Sequence, residues 1–87
     1  MKVFMYSLST CPWCRKTKNF FKVNHVPFDY VDYDLQPEDE QDKIMDKILK
    51  ISNARSFPVV IIGDQVIVGY DPEKYSKTLG LKEVKAS

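Results

Sequence analysis

Cys11 and Cys14 are the only cysteines in the chain and lie in the segment Thr10-Cys11-Pro12-Trp13-Cys14-Arg15. Two sulfurs on one turn can pass between dithiol and disulfide, so the first chemistry this spacing suggests is thiol–disulfide exchange. A structural disulfide is a second reading, although closing so short a loop stabilises by only about 2 kcal/mol in the chain-entropy picture and a reducing cytosol opposes it. Zinc is a third. It needs four ligands, and the only histidine, His25, lies eleven residues beyond Cys14, which along a helix is roughly 16 Å. One chain cannot close such a site, leaving only a metal shared between two chains. The same separation makes His25 a helix-end residue rather than a partner of either thiol.

The two sulfurs are not equivalent. Proline is favoured at the first helical position, so Pro12 makes Cys11 the helix cap, its sulfur facing the unpaired amides of Trp13 and Cys14 at the positive end of the helix dipole. A thiolate is favoured there, and Arg15 and Lys16 add positive potential. Cys14, one turn inside the helix and packed under Trp13, is expected to keep its proton longer. Exchange would then run in two steps. Cys11 attacks a partner disulfide to form a mixed disulfide; Cys14 attacks Cys11, releases the reduced partner and leaves an internal disulfide. No metal and no organic cofactor is required.

The elements that must hold the pair can be read from apolar spacing. Val3-Phe4-Met5-Tyr6 is a short apolar run suited to a central strand covered on both faces, and Ser7-Leu8-Ser9-Thr10 is a polar loop leading to the cysteines. From Pro12 to about Asn24 the stripe Trp13, Thr17, Phe20, Phe21, Asn24 has helical spacing, with Arg15, Lys16, Lys18 and Lys22 largely off it. His25-Val26-Pro27 breaks that helix, and Phe28 to Tyr33 alternates as a half-buried strand. Pro37-Glu38-Asp39-Glu40 begins a second helix running to about Ser52, with Ile44, Met45, Ile48, Leu49 and Ile51 as its buried side. Phe57-Pro58 opens a strand from Val59 to Ile62, Gly63-Asp64 turns it, and Gln65 to Val68 returns. Asp71-Pro72-Glu73 then begins a short helix ending near Gly80. The order β-α-β-α-β-β-α predicts an α/β fold: one four-stranded mixed sheet with three helices on its faces.

Composition narrows the function classes. The 87 residues are 44% hydrophobic and 13% aromatic, enough for an ordinary core in a single domain, residues 1–87, with no repeat or Gly/Ser linker. A net charge of +1 gives no global attraction to nucleic acid or an anionic membrane. The longest apolar run, Val59 to Ile62, is far too short to span a bilayer, and Met1 to Ser7 does not resemble a signal peptide, so a cytoplasmic monomer is expected. Charge is nevertheless uneven, because residues 32–46 hold seven acidic groups and one basic. That block is either a solvated helix face or a docking patch for a basic partner.

Taken together, Tyr6-Ser7, Cys11-Pro12-Trp13-Cys14, Ser56-Phe57-Pro58 before a strand and Gly69-Tyr70-Asp71 after the hairpin resemble a glutaredoxin over nearly the whole chain. The resemblance implies the thioredoxin-like fold and a dithiol–disulfide oxidoreductase acting on protein disulfides. It further implies a cis bond at Phe57-Pro58 that sets the Phe57 backbone beside the cysteines to pair with a bound peptide or glutathione. Pro12, Trp13, Phe57, Pro58, Gly69, Tyr70 and Asp71 become the candidate substrate contacts around Cys11 and Cys14. Trp13 and Tyr70 are read either as an apolar rim for a protein partner or as simple packing.

Three departures concern glutathione. Leu8 stands near the position where many glutaredoxins carry a lysine, Ser56-Phe57 replaces Thr-Val, and Val68-Gly69-Tyr70-Asp71-Pro72 stands in place of Gly-Gly-x-Asp-Asp. Leu8 cannot attract a carboxylate, and Pro72 lacks an amide donor. The segment Gly69-Tyr70-x-Pro72 is instead similar to the Gly-Phe-x-Pro of NrdH-redoxins, glutaredoxin-like electron donors to ribonucleotide reductase recharged by a thioredoxin-reductase-type flavoprotein. Two alternatives accompany that expectation: a glutathione-dependent enzyme removing glutathione from protein thiols with Cys11 alone, and a dimeric iron–sulfur cluster carrier, which Pro12 disfavours by family analogy.

Overall fold

The computed structural model describes residues 2–81. The elements are β1 (Val3–Ser7), α1 (Pro12–Val23), β2 (Asp29–Asp32), a 3-10 turn (Tyr33–Leu35), α2 (Glu38–Ser52), β3 (Val59–Ile62), β4 (Gln65–Val68) and α3 (Pro72–Leu79). They form one mixed sheet of strand order β2-β1-β3-β4, with β1 parallel to β2 and antiparallel to β3, and β3 antiparallel to β4. The expected thioredoxin-like architecture is present.

The two continuous apolar strands lie at the centre because both of their faces are covered. Side chains alternate across a strand. Val3 and Met5 of β1 and Val60 and Ile62 of β3 point to one face, where Phe20, Phe21 and Tyr75 from α1 and α3 cover them. Phe4, Tyr6, Val59 and Ile61 point to the other, against Ile44, Ile48 and Ile51 of α2. Thus α2 occupies one side alone, and α1 shares the opposite side with α3.

Two sequence expectations are corrected. The alternating strand over 28–33 is shorter, Asp29–Asp32, and does not alternate cleanly, because β2 is an edge strand whose Tyr30 remains half exposed. On α1 the buried side is Cys14, Thr17, Phe20 and Phe21, whereas Trp13 is 54% exposed. Cysteine behaves as a small hydrophobe, and here it takes the core position that tryptophan was expected to occupy.

The helix ends follow local chemistry. His25 adopts φ 57 just past α1, where Val26 N–H donates to Phe21 O at 2.8 Å and His25 N–H to Lys22 O at 3.2 Å, the paired bonds of a Schellman ending. The Asp71 carboxylate accepts from Lys74 N–H at 3.1 Å to cap α3. Gly63, at φ 62, opens the two-residue turn between β3 and β4, a backbone state that glycine adopts without strain. Among the described residues no helix is long and apolar enough to cross a membrane.

Candidate functional site around Cys11 and Cys14

Both cysteines are free thiols, one half-buried and one fully buried. Cys11 caps α1 with φ −80 and ψ 120, and its sulfur accepts from the Cys14 amide at 3.4 Å. Of the two amides expected to serve that sulfur, this is the one in bonding position. The turn before it is tightened by Cys11 N–H donating to Leu8 O at 3.2 Å. Leu8 also donates its own amide to Cys14 Sγ at 3.5 Å, a contact no sequence motif announced.

Burial pushes the Cys14 thiol up to about 12; a hydrogen bond to Cys11 and the charge of that neighbour add to the rise, while the Leu8 amide and the Lys18 ammonium oppose it. The causes follow from removing a charge from water and from like-charge repulsion between two sulfurs. One thiol is therefore accessible at a helix amino terminus, and the other is stored protonated beneath it.

The peptide bond Phe57-Pro58 is cis, as the resemblance implied. Pro58 is buried and its carbonyl accepts from Gly69 N–H at 2.8 Å, joining the loop before β3 to the end of β4. Trp13, Phe57, Gly69 and Tyr70 line an open cavity of about 270 Å³. Trp13 and Tyr70 stack across it at 6.0 Å between ring centroids, with an interplanar angle of 27°, and Lys16 Nζ lies 4.9 Å from the Trp13 ring. Trp13 is largely exposed, whereas Tyr70 is half-buried and also packs against the core. Asp71 is not among the residues lining that cavity; it lines a separate one with Glu73, Lys74 and Lys77, and one carboxylate oxygen is committed to the α3 cap.

Three supports escaped the sequence reading. Tyr75 hydrogen-bonds through its hydroxyl to Gly69 O and packs its ring on Phe20 and Phe21; burial raises its phenol above the ordinary value. The 3-10 turn reaches both walls: Tyr33 packs on Phe57 at 5.4 Å between centroids, and Asp34 accepts from the Ser9 amide at 2.8 Å and from the Ser9 hydroxyl, bonds that hold its carboxyl below the ordinary carboxylate range. Lys18, read as lying largely off the apolar stripe of α1, pairs with Asp32 at 3.0 Å. The last two join residues far apart in sequence, which no local pattern reveals.

Residues 3–67 match the glutaredoxin family model. The chain belongs to the glutaredoxin family. Among proteins similar to this glutaredoxin-family chain is the glutaredoxin-like 8.6 kDa protein of the Clostridium pasteurianum rubredoxin operon, 32% identical over 75 residues that cover 86% of this chain and 93% of that one. Among solved structures, the Archaeoglobus fulgidus glutaredoxin is 38% identical with a TM-score of 0.85, covering 90% of this chain and 85% of the other. Methanosarcina acetivorans methanoredoxin is 37% identical with a TM-score of 0.86, covering 92% and 85%. The chain therefore has the fold and cysteine pair of a thiol oxidoreductase family. Among the described residues no group of three His, Cys, Asp or Glu side chains is placed to hold a metal ion.

Proposed function

We propose that the chain is a dithiol oxidoreductase that reduces protein disulfides, with Cys11 as nucleophile and Cys14 as resolver. The observation that carries this reading is the unequal setting of the sulfurs: Cys11 is half-buried under the Cys14 amide, while Cys14 is fully buried with its thiol pushed up to about 12.

In the first step the Cys11 thiolate attacks one sulfur of the client disulfide, forming a mixed disulfide and expelling the other client sulfur as a thiolate that takes up a proton. In the second, Cys14 loses its proton and attacks Cys11 Sγ. The bond from Cys11 to the client breaks, and the client leaves as a reduced dithiol. Both electrons come from the two thiols, which end as an internal disulfide.

The cis geometry supports a role for the Phe57 backbone in holding the client, and the Trp13–Tyr70 rim suits an aromatic-lined docking surface for a protein. A protein reductase of the flavoprotein class is the favoured electron source. Leu8 brings no charge near the cysteines, Pro72 offers no amide, and Asp71 already caps a helix. The NrdH-like Gly69-Tyr70-x-Pro72 segment supports a client of the ribonucleotide reductase kind.

The test compares two electron sources for reduction of insulin disulfides: a thioredoxin-reductase-type flavoprotein with NADPH, and glutathione with its own reductase. Turnover with the flavoprotein is expected. Robust turnover with glutathione alone would replace this reading with a glutathione-dependent one, in which Cys11 alone removes glutathione from protein thiols.

A further inference from the structure

Dithiol exchange leaves one step unexplained. Cys14 must attack as a thiolate, yet it is wholly buried and burial is the main cause that raises its thiol to about 12. Something beside it has to favour the anion at the moment of resolution.

A path of hydrogen bonds and neighbouring residues connects Cys14 with Lys18. Its sulfur accepts from the Leu8 amide at 3.5 Å. The residue before Leu8, Ser7, is fully buried and donates its hydroxyl to Asp32 Oδ1. The same oxygen binds Lys18 Nζ at 3.0 Å. Lys18 lies four residues beyond Cys14 on α1, the spacing that stacks side chains on one helix face. Cys14 and Lys18 are thus linked twice, through β1 and β2 on one side and through their shared helix on the other.

The ammonium is unusually confined. Lys18 and Asp32 side chains are only 18% and 16% exposed, and the Lys18 ammonium also lies 4.0 Å from the Tyr30 ring centroid. Partly desolvated ion pairs add little net stability, because the cost of dehydration offsets their attraction. What such a pair does well is fix a charge in position.

We propose that Lys18, anchored by Asp32 and Ser7, is the positioning residue for the resolving step, its fixed ammonium favouring the Cys14 thiolate as it attacks the mixed disulfide. This rests on the dithiol reading above. In that step the Cys14 S–H bond breaks, Cys14 Sγ bonds to Cys11 Sγ, the bond from Cys11 to the client sulfur breaks, and the proton ends on the departing client thiolate. No co-reactant is needed. The titratable groups around the pair are Cys11 at the cap, Asp32 and Tyr30 of β2, Asp34 of the 3-10 turn and Tyr75 of α3. Among them Lys18 is the cation found to lower the Cys14 thiol, and Cys11 raises it.

The experiment is stopped-flow reduction of Ellman's reagent by the reduced protein, followed from neutral to alkaline pH. Attack by Cys11 releases a first nitrothiobenzoate, and resolution by Cys14 releases a second. Lys18→Met is expected to slow the second release about ten-fold at neutral pH and to move its pH profile upward, since removing a nearby cation raises a thiol by about one unit. Lys18→Arg keeps the charge and should keep the profile. Far-UV circular dichroism and an unchanged denaturant midpoint show that the variant is folded, and Lys18→Gln serves as a second neutral variant if methionine disturbs the site. A second release whose pH profile is the same in Lys18→Met, Lys18→Gln and the unaltered protein overturns the proposal and leaves the dithiol reading intact. A single release from the unaltered protein overturns both.

Discussion

Trp13 and Tyr70 face each other as a stacked pair across the mouth of the cysteine site, one from the first turn of α1 and the other from the loop after β4. Neither ring belongs to the core, yet each is held: the chain at Trp13 by Thr17, whose hydroxyl donates to Trp13 O at 2.9 Å, and Tyr70 by edge contact with Tyr75 at 6.5 Å. Trp13 is largely exposed and Tyr70 half-buried beside it, so the pair presents apolar surface next to the start of α1.

Trp13→Ala or Tyr70→Ala should therefore weaken capture of protein disulfides more than reaction with a small one. Truncating an aromatic anchor costs about 1–2 kcal/mol, so KM for an insulin substrate is expected to rise about ten-fold while the rate with Ellman's reagent changes little. Steady-state kinetics with the two substrates measure the split.

Cys11→Ser should abolish disulfide reduction, and Cys14→Ser should stop after the first exchange and accumulate a mixed disulfide with the client. Intact-mass spectrometry after a single turnover reads the adduct directly. Normal multiple turnover by Cys14→Ser would remove Cys14 from the resolving role.

Alkylation should discriminate between the sulfurs. Cys11 is accessible and Cys14 is not, so iodoacetamide should label Cys11 first at neutral pH, with Cys14 following only as pH climbs toward its raised value of about 12. Peptide mapping of the labelled protein over a pH series gives both rates.

The same shift has a consequence for stability, with a definite sign. The Cys14 thiol rises from 9.0 to about 12 on folding, so the unfolded chain loses its proton first. The contribution of the buried thiol is fully present below pH 9.0 and is lost as pH rises through that window toward 12. Cys14→Ser should flatten this part of the alkaline limb in urea denaturation, leaving the part due to Tyr75, whose phenol is also raised.

Tyr75→Phe tests the support beneath the rim. It deletes the hydroxyl that bonds Gly69 O while preserving the ring among Phe20 and Phe21. A loss of about 0.5–1.5 kcal/mol is expected from one hydrogen bond, measured by denaturant midpoint, together with a weaker hold on protein clients through the loosened Gly69-Tyr70 segment.

Much of this was legible because it is local. The Gly63-Asp64 turn, the Pro12 and Pro72 helix starts, the Asp71 cap and the continuous apolar runs of β1 and β3 each declare themselves within a few residues. The cis bond at Phe57-Pro58 came from family resemblance, since proline alone gives cis only weak odds. The error on α1 has a plain cause: residues 13 and 14 both lie near the stripe through Thr17 and Phe20, and hydrophobicity favoured the larger side chain. Ser9–Asp34, Ser7–Asp32 and Lys18–Asp32 were invisible because β2 and its following turn meet β1 and α1 only after the parallel crossover is made. The bond from Tyr75 to Gly69 O spans only six residues but has no motif that marks it.

With one sulfur concealed beneath the other, the oxidised protein would offer its surroundings a single atom. Whatever recharges it must knock at the same door that the client has just left, so donor and recipient cannot be seated together. Traffic through such a molecule is strictly by turns, and an excess of either visitor should act as a competitive inhibitor of the other.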